Sequence, residues 1–173
     1  PKEKRVLGPQ QVETKIDQDA ELSSQLTLWD QRGSSVIRGN VLAIPVGETM
    51  IYVEPVYLQS ETAAYPELRL VCIMHGDNLS YAPSFGQALE GIFKGQPVKQ
   101  ITEAAREKQE EEQPAEADVA NKQLIQNADQ YLKDYLRNMG DQRFEDASQA
   151  LRNLQQTLEE LRKKTEAEGD TLQ

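Results

Sequence analysis

The sequence holds one cysteine and one histidine among its 173 residues. A lone Cys excludes an internal disulfide framework and a Cys-rich zinc site. A lone His excludes paired-His metal motifs such as HExxH. Long apolar runs are missing too. The longest are Val41 to Val46, Met50 to Val53 and Leu70 to Met74, far short of the roughly 18 residues that suggest a membrane span. Positive charge is in deficit: 19 Lys and Arg against 29 Asp and Glu give a formal net charge of −10. That removes nucleic acid as a partner, because phosphate binding needs a basic stripe to displace counterions. No GxGxxG, P-loop or GxSxG pattern occurs. The start, PKEKR, is followed by Val6-Leu7 and polar sequence rather than a signal-peptide core. Pro1 stands where an initiator Met would, which reads as a piece of a longer protein that could carry targeting or spanning segments upstream.

What is present divides the chain by composition. Residues 1–99 hold seven of the eight Pro and eight of the ten Gly; the remainder is rich in Gln, Glu, Ala, Leu and Lys. The expected organisation is an α+β domain at 1–95, an acidic flexible linker at 96–117, a helical hairpin at 118–168 and a disordered tail at 169–173. The linker includes Glu110-Glu111-Glu112 and Pro114 and has little apolar surface with which to offset ordering entropy. A short helix at 101–112 is compatible with it. The Glu triplet lacks the alternation with turn residues that calcium loops show, so it reads as solvated charge.

The first domain reads as a small mixed or antiparallel sheet with flanking helices. Gly8-Pro9 opens a helix with Pro at its first position. Leu22, Leu26 and Trp29 share one helical face, and Gly33-Ser34-Ser35 ends that segment. Val36-Ile37 opens a strand. Residues 40–46 and 50–57 form a hairpin around Gly47-Glu48-Thr49. Pro45 and Pro55, unable to donate to the ladder, must sit at an edge, a bulge or a strand end. Residues 68–74 form the central buried strand. Gly76-Asp77-Asn78 is a turn, and residues 79–82 a short strand. Ser84-x-x-Gln87 is a capping box before a helix that ends near Gly95.

The last part reads as an antiparallel hairpin. Ile125, Ala128, Leu132, Tyr135 and Met139 follow a 3,4 spacing, and so do Phe144, Ala147, Leu151, Leu154, Leu158 and Leu161. Gly140 suits the residue after a helix end and Asp141 the next N-cap. Two helices alone bury little. The seam, represented by Ile125, Leu132, Leu151, Leu154, Leu158 and Leu161, is therefore the candidate interaction surface, to be covered by the chain's own domain, a second copy or a partner.

Few residues suggest chemistry. His75 beside Asp77 could serve as a general base, with Ser80 or Ser84 as nucleophile; the plainer reading is a turn residue. Cys72 could be a nucleophile, but its apolar strand neighbours make it an inert core thiol. Glu54 lies in an apolar strand, where a buried carboxylate shifts its pKa or needs a partner; the plainer reading is a solvent-facing residue near a strand end, or one paired with Arg38 or Arg69. Glu61 and Glu67 would make a glycosidase pair only if they converged. The sequence assigns no catalytic residue, no cofactor and no metal. The alternative to a non-enzymatic module is a hydrolase-type or solute- or ion-binding domain built on the His75–Asp77 turn and Glu54.

One stretch resembles a known family. From Gly33 to Gln59 the chain reads GSSVIRGNVLAIPVGETMIYVEPVYLQ, similar to the signature of a bacterial family of multi-pass membrane proteins, uncharacterised protein family 0182. Gly8 to Val12, Ile16-Asp17-Gln18-Asp19, Leu26 to Trp29, Tyr65 to Leu68 and Ala88-Leu89 extend the likeness over about residues 8–94. Leu136 to Asp141 match a family-like ALxxGD more loosely, and residues 70–86 depart from the pattern. The resemblance implies spanning helices upstream, a location at the plasma membrane of the parent protein, and an extracytoplasmic place for this C-terminal portion. The implied partners are the rest of the parent protein and, through the hairpin, a second copy. It implies no activity, cofactor or catalytic residue.

Overall fold

The computed structural model describes residues 6–31, 33–94, 97–99, 101 and 116–170, with side chains for all of these except 116–120 and 166–170. The chain separates into two compact units, Pro1–Glu103 and Ala104–Gln173.

The first unit is α+β. Helices α1 (Pro9–Asp17) and α2 (Ala20–Trp29) precede strands β1 (Ser34–Arg38), β2 (Leu42–Val46), β3 (Thr49–Ser60), β4 (Glu67–His75) and β5 (Asn78–Ala82), and α3 (Phe85–Phe93) follows. Every strand pairing is antiparallel, in the order β1-β3-β4-β5, with β2 also on β3. A parallel bridge joins Tyr81 to Lys99. The 12-residue β3 is the spine. Along the edge opposite β4 it carries β2 on Thr49 to Val53 and β1 on Val56 to Ser60.

Pro55 lies where one edge strand gives way to the other. Its carbonyl accepts from the Gly39 N–H at 2.8 Å. In an antiparallel strand a residue's N and O point the same way, so the missing N–H of Pro55 faces this gap rather than a ladder. The gap also requires glycine: a Cβ on Gly39 would stand 2.6 Å from Pro55 Cγ and 3.0 Å from Pro55 O. Pro45 lies on the edge strand β2. Residues 61–66 join β3 to β4, while the β2–β3 and β4–β5 turns are two residues long, Gly47-Glu48 and Gly76-Asp77. Each has positive φ at its glycine, 59° and 61°, the pattern of a hairpin turn with Gly first.

The sheet is covered on both faces. Tyr52, Val56, Leu70, Cys72, Met74 and Tyr81 form one buried cluster with Val12, Ile16 and Leu22 from α1 and α2. Strand alternation sends Ile51, Val53, Val71, Ile73, Ile44 and Val46 to the opposite face, and all are buried. There α3 packs beside β4 and β5, its N-terminus capped by Ser84 accepting from the Gln87 N–H.

The second unit consists of α4 (Glu116–Gly140) and α5 (Phe144–Asp170), which pack together. Each is longer than the seam pattern required. The connection differs from the expected caps. Arg143 N–H donates to Asn138 O at 2.8 Å and Gln142 N–H to Met139 O at 3.2 Å, and Gln142 has φ 59°. This is a Schellman ending, whose left-handed position falls two residues beyond Gly140. Gln142, not Gly140, therefore takes that conformation, and Arg143, not Asp141, directly precedes α5. Most of the expected linker, including the Glu triplet, and residues 171–173 of the expected tail lie outside the described residues.

Candidate functional site

Glu54 is the most unusual side chain of the first unit: a carboxylate with no solvent exposure, on the face beneath α1. Arg38 answers it from the neighbouring edge strand. Its Nε–H donates to Glu54 Oε1 (2.5 Å) and an Nη2–H to Oε2 (2.8 Å), a bidentate fork. The remaining Nη1 donates to Asp17, the last residue of α1. One guanidinium thus joins β1, β3 and α1. Burial pushes Glu54 above the usual carboxylate range, against the pull of Arg38. Burial pushes Arg38 down, but Glu54 and Asp17 outweigh it and hold the guanidinium firmly protonated. Of the two partners expected for Glu54, Arg69 instead stands 5.7 Å from the centre of the Trp29 ring.

A second ionic group lies on the other side of the α1–α2 corner. Asp19 caps α2, its Oδ1 accepting from the Leu22 N–H at 3.1 Å and from the Tyr81 hydroxyl at 3.3 Å. Its Oδ2 takes Lys99 Nζ at 2.5 Å. Burial pushes this carboxyl up, but Lys99, the Leu22 N–H and Tyr81 together hold it below the usual range. In the sheet register Glu54 is opposite Cys72, and Cys72 opposite Tyr81. Along this cross-strand row the buried Cys72 separates the two polar groups, Glu54 with Arg38 on one side and Tyr81 with Asp19 on the other.

The residues proposed for catalysis do not gather at one point: the register sets Ser80 two positions from His75 on the same face, but Glu54 on the other. His75 pairs with Ile51 in the register, three positions from Glu54, so the two point to opposite faces. His75 Nε2 lies 3.2 Å from Thr49 Oγ1, which itself donates to Val46 O. Burial depresses the His75 pKa. Asp77 is exposed and takes Lys15 Nζ at 2.5 Å. Ser80 is buried, 2.8 Å from Ala88 O and 3.0 Å from Val98 O, and Ser84 is a helix cap. Cys72 is fully buried, and that burial drives its thiol pKa far up, as an inert core thiol requires. Glu61 N–H bonds to Gly33 O, while Glu67 opens β4 opposite Leu58. Two open grooves, about 560 and 300 Å³, flank α2, and neither is lined by His75, Glu54 or Cys72. Among the described residues no group of three or more His, Cys, Asp or Glu is placed to hold a metal, and no helix is long and apolar enough to cross a membrane.

In the hairpin, Leu132, Leu154, Leu158 and Leu161 are buried, while Ile125 and Leu151 are half-buried. Ala150 and Thr157, outside the 3,4 pattern, are buried as well. The seam opens at the tip, where Met139 is 41% and Phe144 62% exposed.

No protein-family model matches the chain, and no solved structure matches it. Curated relatives do. A UPF0182 protein of Desulforamulus reducens is 55% identical over 93 residues, 54% of this chain and 10% of that protein. One from Pelotomaculum thermopropionicum is 53% identical over 93 residues, with the same coverage of 54% and 10%. One from Salinibacter ruber is 40% identical over 117 residues, 68% of this chain and 12% of that protein. The matched stretch is similar to a portion of UPF0182 proteins. The chain spans about a tenth of the length of these UPF0182 relatives, and the UPF0182 name itself states no activity, ligand or partner. The residues on which the resemblance rests have structural uses here. Arg38 and Glu54 make the buried fork, Gly39 and Pro55 make the strand exchange, and Asp17 and Asp19 tie down the helical corner.

Proposed function

We propose that this chain is a non-enzymatic, extracytoplasmic module of a larger plasma-membrane protein, serving structural and protein-interaction roles. The observation that carries this reading is the use of its reactive side chains. Glu54, Asp19, Asp77, His75, Ser80 and Ser84 each hold a partner within the fold, and Cys72 is sealed in the core. An active site instead leaves such groups facing a common substrate position. The much greater length of the UPF0182 relatives supports a parent chain that provides the membrane segments. With most of the Leu seam buried, the large apolar residues exposed at the hairpin tip among the described residues, Met139 and Phe144, are the surface for docking on the rest of the parent protein.

The test uses the full-length parent protein in cells. A photoreactive phenylalanine analogue at position 144 is expected to crosslink to another segment of the parent. A cysteine at the 80%-exposed Tyr65 is expected to react with a membrane-impermeant maleimide in intact cells, other accessible cysteines having been replaced. No crosslink contradicts the docking role, and labelling only after lysis contradicts the extracytoplasmic location.

A further inference from the structure

The α1–α2 corner covers one face of the sheet and is tied on opposite sides through residues two apart in sequence. Asp17 reaches Arg38 on β1, and Asp19 reaches Tyr81 on β5 and Lys99 beyond α3. Cys72 lies in the cluster beneath, fully buried. Further ties are Lys15 to Asp77 and the Tyr52 hydroxyl to the Leu7 N–H and carbonyl. Asp77 is solvent-exposed, so its tie counts for little. The opposite face has buried residues of its own and α3 packed beside β4 and β5. A sheet with a separate core on its second face can lose the first cover without losing its strand pairing.

We infer that α1 and α2 form one strap, fastened by the Asp17–Arg38 and Asp19–Lys99 ties, that lifts as a unit and uncovers Cys72 while the sheet stays paired. The buried thiol is a reporter of this opening, because closed molecules shield it. Both ties break in one event, so their effects on the opening equilibrium multiply.

The experiment follows reaction of Cys72 with 5,5′-dithiobis(2-nitrobenzoate) across sub-denaturing urea. The thiolate displaces thionitrobenzoate and is left as a mixed disulfide. The variants are Asp17→Asn, Asp19→Asn and the double variant; Asn retains capping ability at position 19. The expected wild-type rate rises with urea along a slope clearly shallower than that of global unfolding, because lifting the strap exposes one face of the sheet and not the other. Each single variant should raise it roughly threefold, the size of a partly exposed ion pair, and the double variant roughly tenfold. Three results overturn the inference: a rate that follows the full urea dependence of global unfolding, a rate unchanged by either variant, or a double variant no faster than the faster single. If a variant lowers overall stability, the urea slope still separates local from global opening.

Discussion

His75 shows how one side chain can be informative without being catalytic. It is the only histidine, so its ring proton gives an unambiguous NMR titration. Burial holds its pKa below the usual value of 6.5, so the folded state disfavours the charged ring and the unfolded chain binds more protons in that window. This contribution to stability is complete above pH 6.5 and is lost as pH falls through the depressed folded value. The expected outcome is a titration midpoint below 6.5 and a urea midpoint that drops from pH 7.5 toward pH 5. His75→Asn should flatten that drop, and an unchanged profile in the variant would assign it to other groups. At this scale some pairings were legible in the sequence. Arg38 was one of two candidate partners for the carboxylate in an apolar strand, although the sequence left a solvent-facing Glu54 equally open and the structure buries it. The Asp19–Lys99 tie was not legible, because its residues are 80 positions apart and no local periodicity links them.

Among the elements, the sheet edges show the strongest constraint. Unpaired N–H and C=O groups on an edge strand invite pairing with another chain. Here Asp30 Oδ1 accepts the outward Val36 N–H of β1 at 2.9 Å. Pro45 interrupts the donors of β2, and β5 is covered through Tyr81 N–H to Val98 O at 2.7 Å. Asp30→Ala is expected to free the β1 donor. Light scattering should then show concentration-dependent association, with a loss of stability of about 1 kcal/mol or less from the single hydrogen bond. A variant as monodisperse as the parent chain would show that the edge is protected by something else. The strands and α3 were readable because alternation, glycine turns and a capping pair are local signals. The hairpin tip was misread, since a Schellman ending is set by backbone hydrogen bonds and placed its left-handed residue at Gln142, a residue type that does not advertise it. Likewise, the exchange of β1 for β2 along β3 depends on the close approach of Gly39 to Pro55, which no residue pattern near either one specifies.

For the molecule as a whole, the charged residues that looked most like chemistry hold layers together. Arg38 and Glu54 couple the edge to the spine of the sheet and to the helical layer above. A buried ion pair of this kind need not add stability over a well-packed apolar pair, but removing one member leaves the other uncompensated. The decisive measurement is a urea-unfolding double-mutant cycle with Arg38→Leu, Glu54→Leu and both together. Arg38→Leu should cost about 3 kcal/mol by stranding the Glu54 carboxylate. The double variant should be less destabilised than the two singles summed, with a coupling of about 2 kcal/mol or more. Near-neutral single variants with no coupling would contradict a structural role for this pair and reopen Glu54 as a functional carboxylate.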